Sequence, residues 1–268
     1  MRLTPDDHSA AAADLLAAEQ TRVQMGLLSK RFPQIDMDDA YAIQSALTVQ
    51  KLAQGQQVIG WKIGLTSKAM QSALNIDIPD SGILFANMLF ENGATVPAGR
   101  FIQPRMEAEI AFVMKSDLAG DSVTREDVLA ATDYVTPSIE ILDTRILRKD
   151  PTTGSPRIIF DTISDNAANA GIVLGDQRHA TSAHNLRWVG AIVKKNGEVE
   201  ETGLGAGVLD DPIESMVWLA RRMSEYGQKI RAGQIVLSGS FVRPVECEPG
   251  SKIVADFGDF GSVSVSFD

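Results

Sequence analysis

Hydrophobic spacing divides the chain into a helical start and a strand-rich remainder. Alanine and leucine positions predict a first helix over residues 9–29. A second is predicted from Asp36, a good N-cap, with Ala40, Ile43, Leu47 and Leu52 at roughly helical spacing and Gly55 as its stop. Arg31-Phe32-Pro33 breaks the chain between them. After residue 57 the period shortens. Short β-type runs at 58–63, 83–90, 107–115, 134–142, 170–174, 187–195, 234–238, 252–257 and 262–267 alternate with turn clusters, and Asn196-Gly197 signals a hairpin. Helices are predicted at 68–74, at 125–132 behind Thr124, and at 212–226. The last has Asp211 as N-cap, Pro212 at its first position, Glu214 placed to close a capping box, and a stripe of Met216, Val217, Leu219, Ala220 and Met223. The pattern predicts an α+β protein: an N-terminal helical segment over 1–56, then a body over 57–268 built on a mixed or antiparallel sheet.

Composition adds mainly exclusions. With 268 residues, 44% hydrophobic and 22% charged, the chain has the make-up of a globular protein with a substantial core. No apolar run is long enough for a transmembrane helix, and the acidic start of the chain predicts no secretory signal. The net charge of −10 argues against nucleic acid and anionic membranes as partners. A single cysteine, Cys247, forms no internal disulfide and fits a cytoplasmic protein. Its acidic neighbours Glu246 and Glu248 make it a poor nucleophile. One cysteine and three histidines leave little for a zinc site, and His179 and His184 read as surface residues without partners. A metal here would be a hard cation held by carboxylates.

Three segments carry candidate chemistry. In Arg105-Met106-Glu107-Ala108-Glu109-Ile110, strand periodicity places Glu107 and Glu109 on one face. Adjacent carboxylates repel unless a cation or proton compensates, so they are either divalent-metal ligands or residues of a solvated face. Glu140, alone among apolar neighbours in Pro137-Ser138-Ile139-Glu140-Ile141-Leu142, is a third ligand candidate or a salt-bridge residue. Three carboxylates without His or Cys suit Mg²⁺ or Mn²⁺. Lys62 lies in a glycine-flanked apolar strand ahead of Thr66-Ser67, which offers a place for an anionic ligand unless Lys62 snorkels to solvent. Two polar clusters remain open: Asp77 with Asp80, and the stretch 161–171 containing Ser164, which is either a ligand-facing loop or, more simply, a turn capped by its own Asp and Asn side chains.

Taken together, GWKIGLTSKAMQ at 60–71, EAEIAFVMK at 107–115, PSIEILDTR at 137–145 and FDTISDNAANAGIVLG at 160–175 resemble the hydratase/decarboxylase branch of the fumarylacetoacetate hydrolase superfamily, nearly end to end. The resemblance implies a mixed β-roll body, a homo-oligomer, and Mg²⁺ (Mn²⁺ as the alternative) held by Glu107, Glu109 and Glu140. It also implies a pocket lysine at Lys62 and an acid/base carboxylate at Asp80. Leu65, Thr66, Ser67, Ser164 and Arg157 are candidate substrate contacts. Trp61 departs from the pattern, since His is expected there in closer relatives. The long stretch 147–157 points to members that hydrate a small-molecule 2-oxo dicarboxylate, a 2-oxo-heptene-1,7-dioate of homoprotocatechuate catabolism. That stretch is locally basic, and Arg157, restrained by Pro156, is placed to select a distal carboxylate or else belongs to a solvated loop. Rival readings are decarboxylation of a vinylogous 2-oxo acid, hydration of 2-hydroxypentadienoate, hydrolysis of an acylpyruvate, and a non-enzymatic metal-binding subunit of a decarboxylase complex.

Overall fold

A computed structural model describes residues 3–68, 71–72 and 78–268. The first helix, α1 (Pro5–Thr21), starts earlier and stops sooner than the spacing predicts. Thr4 caps it with a reciprocal Asp7 bond and Pro5 sits in its first turn, while Arg22 takes a left-handed conformation (φ 61°) that ends it. A separate turn, α2 (Leu28–Arg31), follows. The next helix, α3 (Met37–Ala53), starts at Asp36 as expected, in a capping box with Asp39. Leu15, Leu28, Ile43 and Leu47 close a helical core that also takes in Ile146.

The body contains thirteen strands and three more helices among the described residues. In chain order they are β1 (Val58–Gly64), β2 (Asp80–Phe85), β3 (Leu89–Phe90), β4 (Thr95–Val96), β5 (Arg105–Met114), α4 (Arg125–Ala131), β6 (Thr132–Leu142), α5 (Ile159–Ser164), β7 (Asn169–Leu174), β8 (Gly190–Lys195), β9 (Glu198–Leu204), α6 (Pro212–Glu225), β10 (Ile235–Ser240), β11 (Val245–Glu246), β12 (Lys252–Asp256) and β13 (Ser262–Phe267). The run at 83–90 is two strands around a short turn, and the segment at 187–195 is strand only from Gly190. Exposed β9 lacks the apolar alternation that reveals a strand, although the hairpin joining it to β8 forms at Asn196 (φ 54°) and Gly197 (φ 91°). Glu214 does not close a capping box on α6. Asp211 accepts the Ile213 amide, and Arg125 bridges Asp211 and Glu214. Of the helix predicted at 68–74, residues 69–70 and 73–74 lie outside the described ones, as does Asp77.

These strands form two sheets. The larger runs β2-β1-β10-β5-β6-β7-β3, with β11 also on β5, and the smaller runs β4-β13-β12-β8-β9. Both are mixed: β1–β10, β3–β7 and β4–β13 are parallel, and the other neighbours antiparallel. Gly60 permits the closest of these approaches, since a Cβ there would lie 1.8 Å from the Ile235 carbonyl oxygen. Alternation along β5 splits its residues between two environments. Met106, Ala108, Ile110 and Phe112 enter the main core with Ile253, Val263 and Val265 of the smaller sheet and Met216 and Leu219 of α6. The opposite face carries Arg105, Glu107, Glu109 and Ala111, and Ala111 packs with Leu237, Leu84 and Ile172 in a smaller apolar floor. Among the described residues, no helix is long and apolar enough to cross a membrane.

Candidate active site

Sheet register gathers the candidate residues on one face. On β5 and β6, Glu107 lies opposite Glu140, and Glu109 opposite Ser138. Such cross-strand pairs bring side chains within roughly 5 Å. Lys62 of β1 faces Leu237 of β10, which faces Ala111 of β5, so Lys62 shares the glutamates' face. Asp80 joins that face from β2, opposite Gly64. A Cβ on Gly64 would lie 2.2 Å from Asp80 Oδ1 and 2.9 Å from Lys62 Nζ, so any larger residue there would displace the Asp80 carboxylate and the Lys62 ammonium.

Glu107, Glu109 and Glu140 each offer an oxygen within 4.8 Å of the others. Glu109 and Glu140 are fully buried and Glu107 is half-buried. Lys62 is no edge-strand lysine reaching for water. It is buried between β2 and β10, and its Nζ stands 3.3 Å from Glu140 Oε1. Asn169 Nδ2 donates to the same Oε1 at 2.8 Å, and the Gly239 amide donates to Glu109 Oε2 at 2.7 Å. The second oxygens, Glu109 Oε1 and Glu140 Oε2, have no hydrogen-bond partner among the described residues, and neither does Asp80 Oδ1. Buried carboxylate oxygens left bare are costly.

The charges are as unbalanced as the hydrogen bonds. Around Lys62 stand Glu140, Asp80, Glu107 and Glu109, four carboxylates to one ammonium. Burial alone would pull the Lys62 ammonium down, but Glu140 and Asp80 outweigh it and hold the group above its ordinary value. Burial pushes Asp80 up to about 6 against the pull of Lys62. Burial and the charge of Glu140 push Glu107 up to about 8 and Glu109 well above its usual range. A divalent cation answers both deficits, because it neutralises the cluster and gives the bare oxygens a partner. The all-oxygen donor set fits a hard ion of the Mg²⁺ or Mn²⁺ kind.

The segment after α5 braces this site, and here the reading of 161–171 as a self-capped turn is corrected. Asn166, Ala167 and Ala168 are all left-handed (φ 52°, 51° and 59°), a conformation costing roughly 1–2 kcal/mol for each non-glycine residue. Tertiary bonds hold it. Asn166 donates to the Ile83 carbonyl and accepts the Ile83 amide on β2. Asp165 pairs with buried Arg145, which also donates to the carbonyls of Asp165 and Asn169. Asn169 thereby reaches Glu140. The sequence alone does not single out Arg145, Asp165, Asn166, Asn169 and Gly239. Their density of small polar residues was visible, but the partners that bury them were not.

The remaining candidates are distributed unevenly. Leu65 is left-handed (φ 55°), and its carbonyl accepts Gln71 Nε2. Thr66 is buried against Gly239 and Ser67 is half-buried. Ser164 is fully buried, its Oγ without a partner among the described residues. Arg157 is half-buried and donates to Thr144 Oγ1, and no hydrogen bond joins it to the glutamates. Trp61 points to the reverse face and donates to Gln234 Oε1. His179 and His184, expected as lone surface residues, are half-buried, contact each other at 3.2 Å and pack on Phe260. Cys247 is buried, its thiol pushed up by burial to about 12.

No protein-family model matches the chain. It is 45% identical over 260 residues to 2-oxo-hept-4-ene-1,7-dioate hydratase of Escherichia coli, covering 97% of each chain. It is 39% identical to 2-keto-4-pentenoate hydratase of Paraburkholderia xenovorans, covering 99% of this chain and 97% of that one. The solved structure of 4-oxalocrotonate decarboxylase from Pseudomonas putida G7, complexed with magnesium and adipate, superimposes with a TM-score of 0.93 at 32% identity, covering 100% of this chain and 99% of that one. Alignment of this length and identity, on a fold that groups three carboxylates with a buried lysine, places the chain in the hydratase/decarboxylase branch of the fumarylacetoacetate hydrolase superfamily.

Proposed function

We propose that the protein is a divalent-metal-dependent hydro-lyase that converts a 2-oxo-heptene-1,7-dioate to 4-hydroxy-2-oxoheptane-1,7-dioate, as a homo-oligomer in the cytoplasm. The reading rests on one observation above all: the cluster of Glu107, Glu109 and Glu140, with excess negative charge and bare oxygens, beside Lys62 and Asp80. The relative at 45% identity supports the seven-carbon diacid as substrate.

Glu107, Glu109 and Glu140 would hold the cation, with Mg²⁺ first and Mn²⁺ second. When bound, it supplies Lewis-acid polarisation of the 2-oxo acid end of the substrate. Lys62 remains protonated and offsets the negative charge that develops on the 2-oxo oxygen. Asp80 is the proton carrier. It takes a proton from carbon 3 and returns it at carbon 5, which brings the double bond into conjugation with the ketone. Water then adds at carbon 4, giving its proton to Asp80, which delivers one to carbon 3. A carboxyl raised to about 6 suits both directions of transfer near neutral pH. Leu65, Thr66, Ser67 and Ser164 are the proposed substrate contacts.

The overlay on a decarboxylase favours a second reading, loss of CO₂ from a vinylogous 2-oxo acid. Acylpyruvate hydrolysis through a histidine–glutamate pair has no support, because His8 bonds Asp39 while His179 and His184 lie against Phe260. Incubating the purified protein with Mg²⁺ and 2-oxo-hept-4-ene-1,7-dioate, with product NMR and CO₂ measured together, separates the readings. The 4-hydroxy product without CO₂ is expected. CO₂ release would establish the decarboxylase, and no turnover would leave a non-catalytic metal-binding subunit.

A further inference from the structure

The alternation that places Glu107 and Glu109 on one face of β5 places Arg105 there too, one step further along the row. Successive same-face positions are roughly 6.6–6.8 Å apart. Arg105 is half-buried, and among the described residues its guanidinium makes no hydrogen bond or ion pair. Its nearest acid besides Glu107 is Glu246, opposite it on β11, and Arg148 occupies that carboxylate at 2.7 and 3.2 Å.

Arg157 enters the same neighbourhood from the long loop. Its backbone amide is fixed to the Arg148 carbonyl at 3.0 Å. Its guanidinium donates to Thr144 Oγ1, just past Leu142, the residue opposite Arg105 on β6. That bond is to a neutral oxygen. Among the described residues, the carboxylate that attracts Arg157 most is Asp165, which already binds Arg145, while Arg105, Arg148 and Arg145 repel it. Glu246, the acid opposite Arg105, is thus taken by Arg148, and Asp165, the acid that attracts Arg157, is taken by Arg145, beside a candidate metal site with surplus negative charge. Two half-buried guanidiniums without a carboxylate are a ready-made receptor for one.

We propose that Arg105 and Arg157 form the subsite for the carboxylate at the far end of the substrate, and so select a diacid over a monoacid. The proposal rests on the reading of the three glutamates as the anchor of the 2-oxo acid end. The span is suitable: six carbon–carbon bonds of ~1.5 Å, zigzagged, carry carbon 7 about 7.5 Å from carbon 1, one same-face step along β5. A five-carbon monoacid has no group to place there.

The test uses the Mg²⁺-loaded full chain with adipate and hexanoate, a diacid and a monoacid of equal length, as calorimetric probes. In Arg105→Gln and in Arg157→Gln, adipate binding should weaken about 10–100-fold, with hexanoate and Mg²⁺ affinities held within about twofold. The double variant should bind the two acids alike. Equal weakening of adipate and hexanoate, or loss of Mg²⁺ affinity, would show that Arg105 serves Glu107 instead, and would overturn the proposal. Unchanged adipate binding would overturn it as well. If adipate discrimination behaves as expected while wild type hydrates no unsaturated 2-oxo acid, the subsite stands and the hydratase reading alone falls.

Discussion

Glu140 lies near the end of β6 and Arg145 just beyond it, both buried, but their charges are treated in opposite ways. Arg145 is saturated. Asp165 accepts from its Nε with one carboxylate oxygen and from its backbone amide with the other, and the Asn169 and Asp165 carbonyls accept from Nη1 and Nη2. Glu140, Glu109, Glu107 and Asp80 crowd around a single ammonium, with three oxygens bare. Burial alone therefore does not distinguish a structural ion pair from a working site. The balance of charge and hydrogen bonds does. The saturated pair fixes the left-handed turn at 166–168, and that turn delivers Asn169 to the unsaturated cluster.

The largest expected effect is on the unsaturated side. Asp80→Asn should lower turnover about 10²–10⁴-fold, the range for removing a general acid–base group, while thermal unfolding stays cooperative. Lys62→Met should lose turnover to a similar degree. Near-wild-type rates in either variant would remove that residue from the chemistry.

On the saturated side the effect should fall on stability. Asp165→Asn leaves Arg145 buried without its counter-charge, which should cost about 3–5 kcal/mol in chemical denaturation. A loss below about 1 kcal/mol would mean that the pair is not the brace described here.

A smaller effect concerns metal and pH together. Glu107 and Asp80 have folded-state values raised to about 8 and about 6, so the folded protein holds protons that the unfolded chain has released. For raised carboxylates the stabilising contribution is complete below the unfolded values, near 4, and is lost as pH rises toward 8. Metal-free protein should therefore become less stable across that window. Mg²⁺ at a hundred times its Kd should restore about 2.7 kcal/mol at pH 8, and protons compete for the same oxygens as pH falls, so more Mg²⁺ should be needed at pH 5.5. Denaturation with and without Mg²⁺ at the two pH values checks both signs.

How far this contrast was legible beforehand follows from its physics. A two-residue period is a local property, so Glu107 and Glu109 could be assigned to one face from the sequence alone. A lysine in an apolar strand also stands out, as Lys62 did. The same period includes Arg105, but a single arginine at a strand's start looks like solvent-facing charge until Glu246 is seen to be taken by Arg148. Segment 161–171 was ambiguous because Asp and Asn side chains can bond their own backbone or a distant strand. Asn166 bonds β2, and only tertiary structure reveals that. The hydrophobic spacing overextends helix α1 because nothing in its composition marks Arg22 as the left-handed stop. The order of elements and the α+β class were readable, whereas the neighbour relations β1–β10–β5, which carry Lys62 to the glutamates, were not.

The unbalanced charge of the glutamate cluster is of the kind that a divalent cation completes. The most direct test is thermal denaturation of wild type and Glu140→Gln at pH 8, with and without Mg²⁺. Wild type should gain stability with Mg²⁺. Glu140→Gln should be at least as stable as metal-free wild type, because one repelling charge is gone, and should gain little from the ion. A metal-free Glu140→Gln protein that is destabilised as Asp165→Asn is expected to be, together with a wild type indifferent to Mg²⁺, would contradict the account.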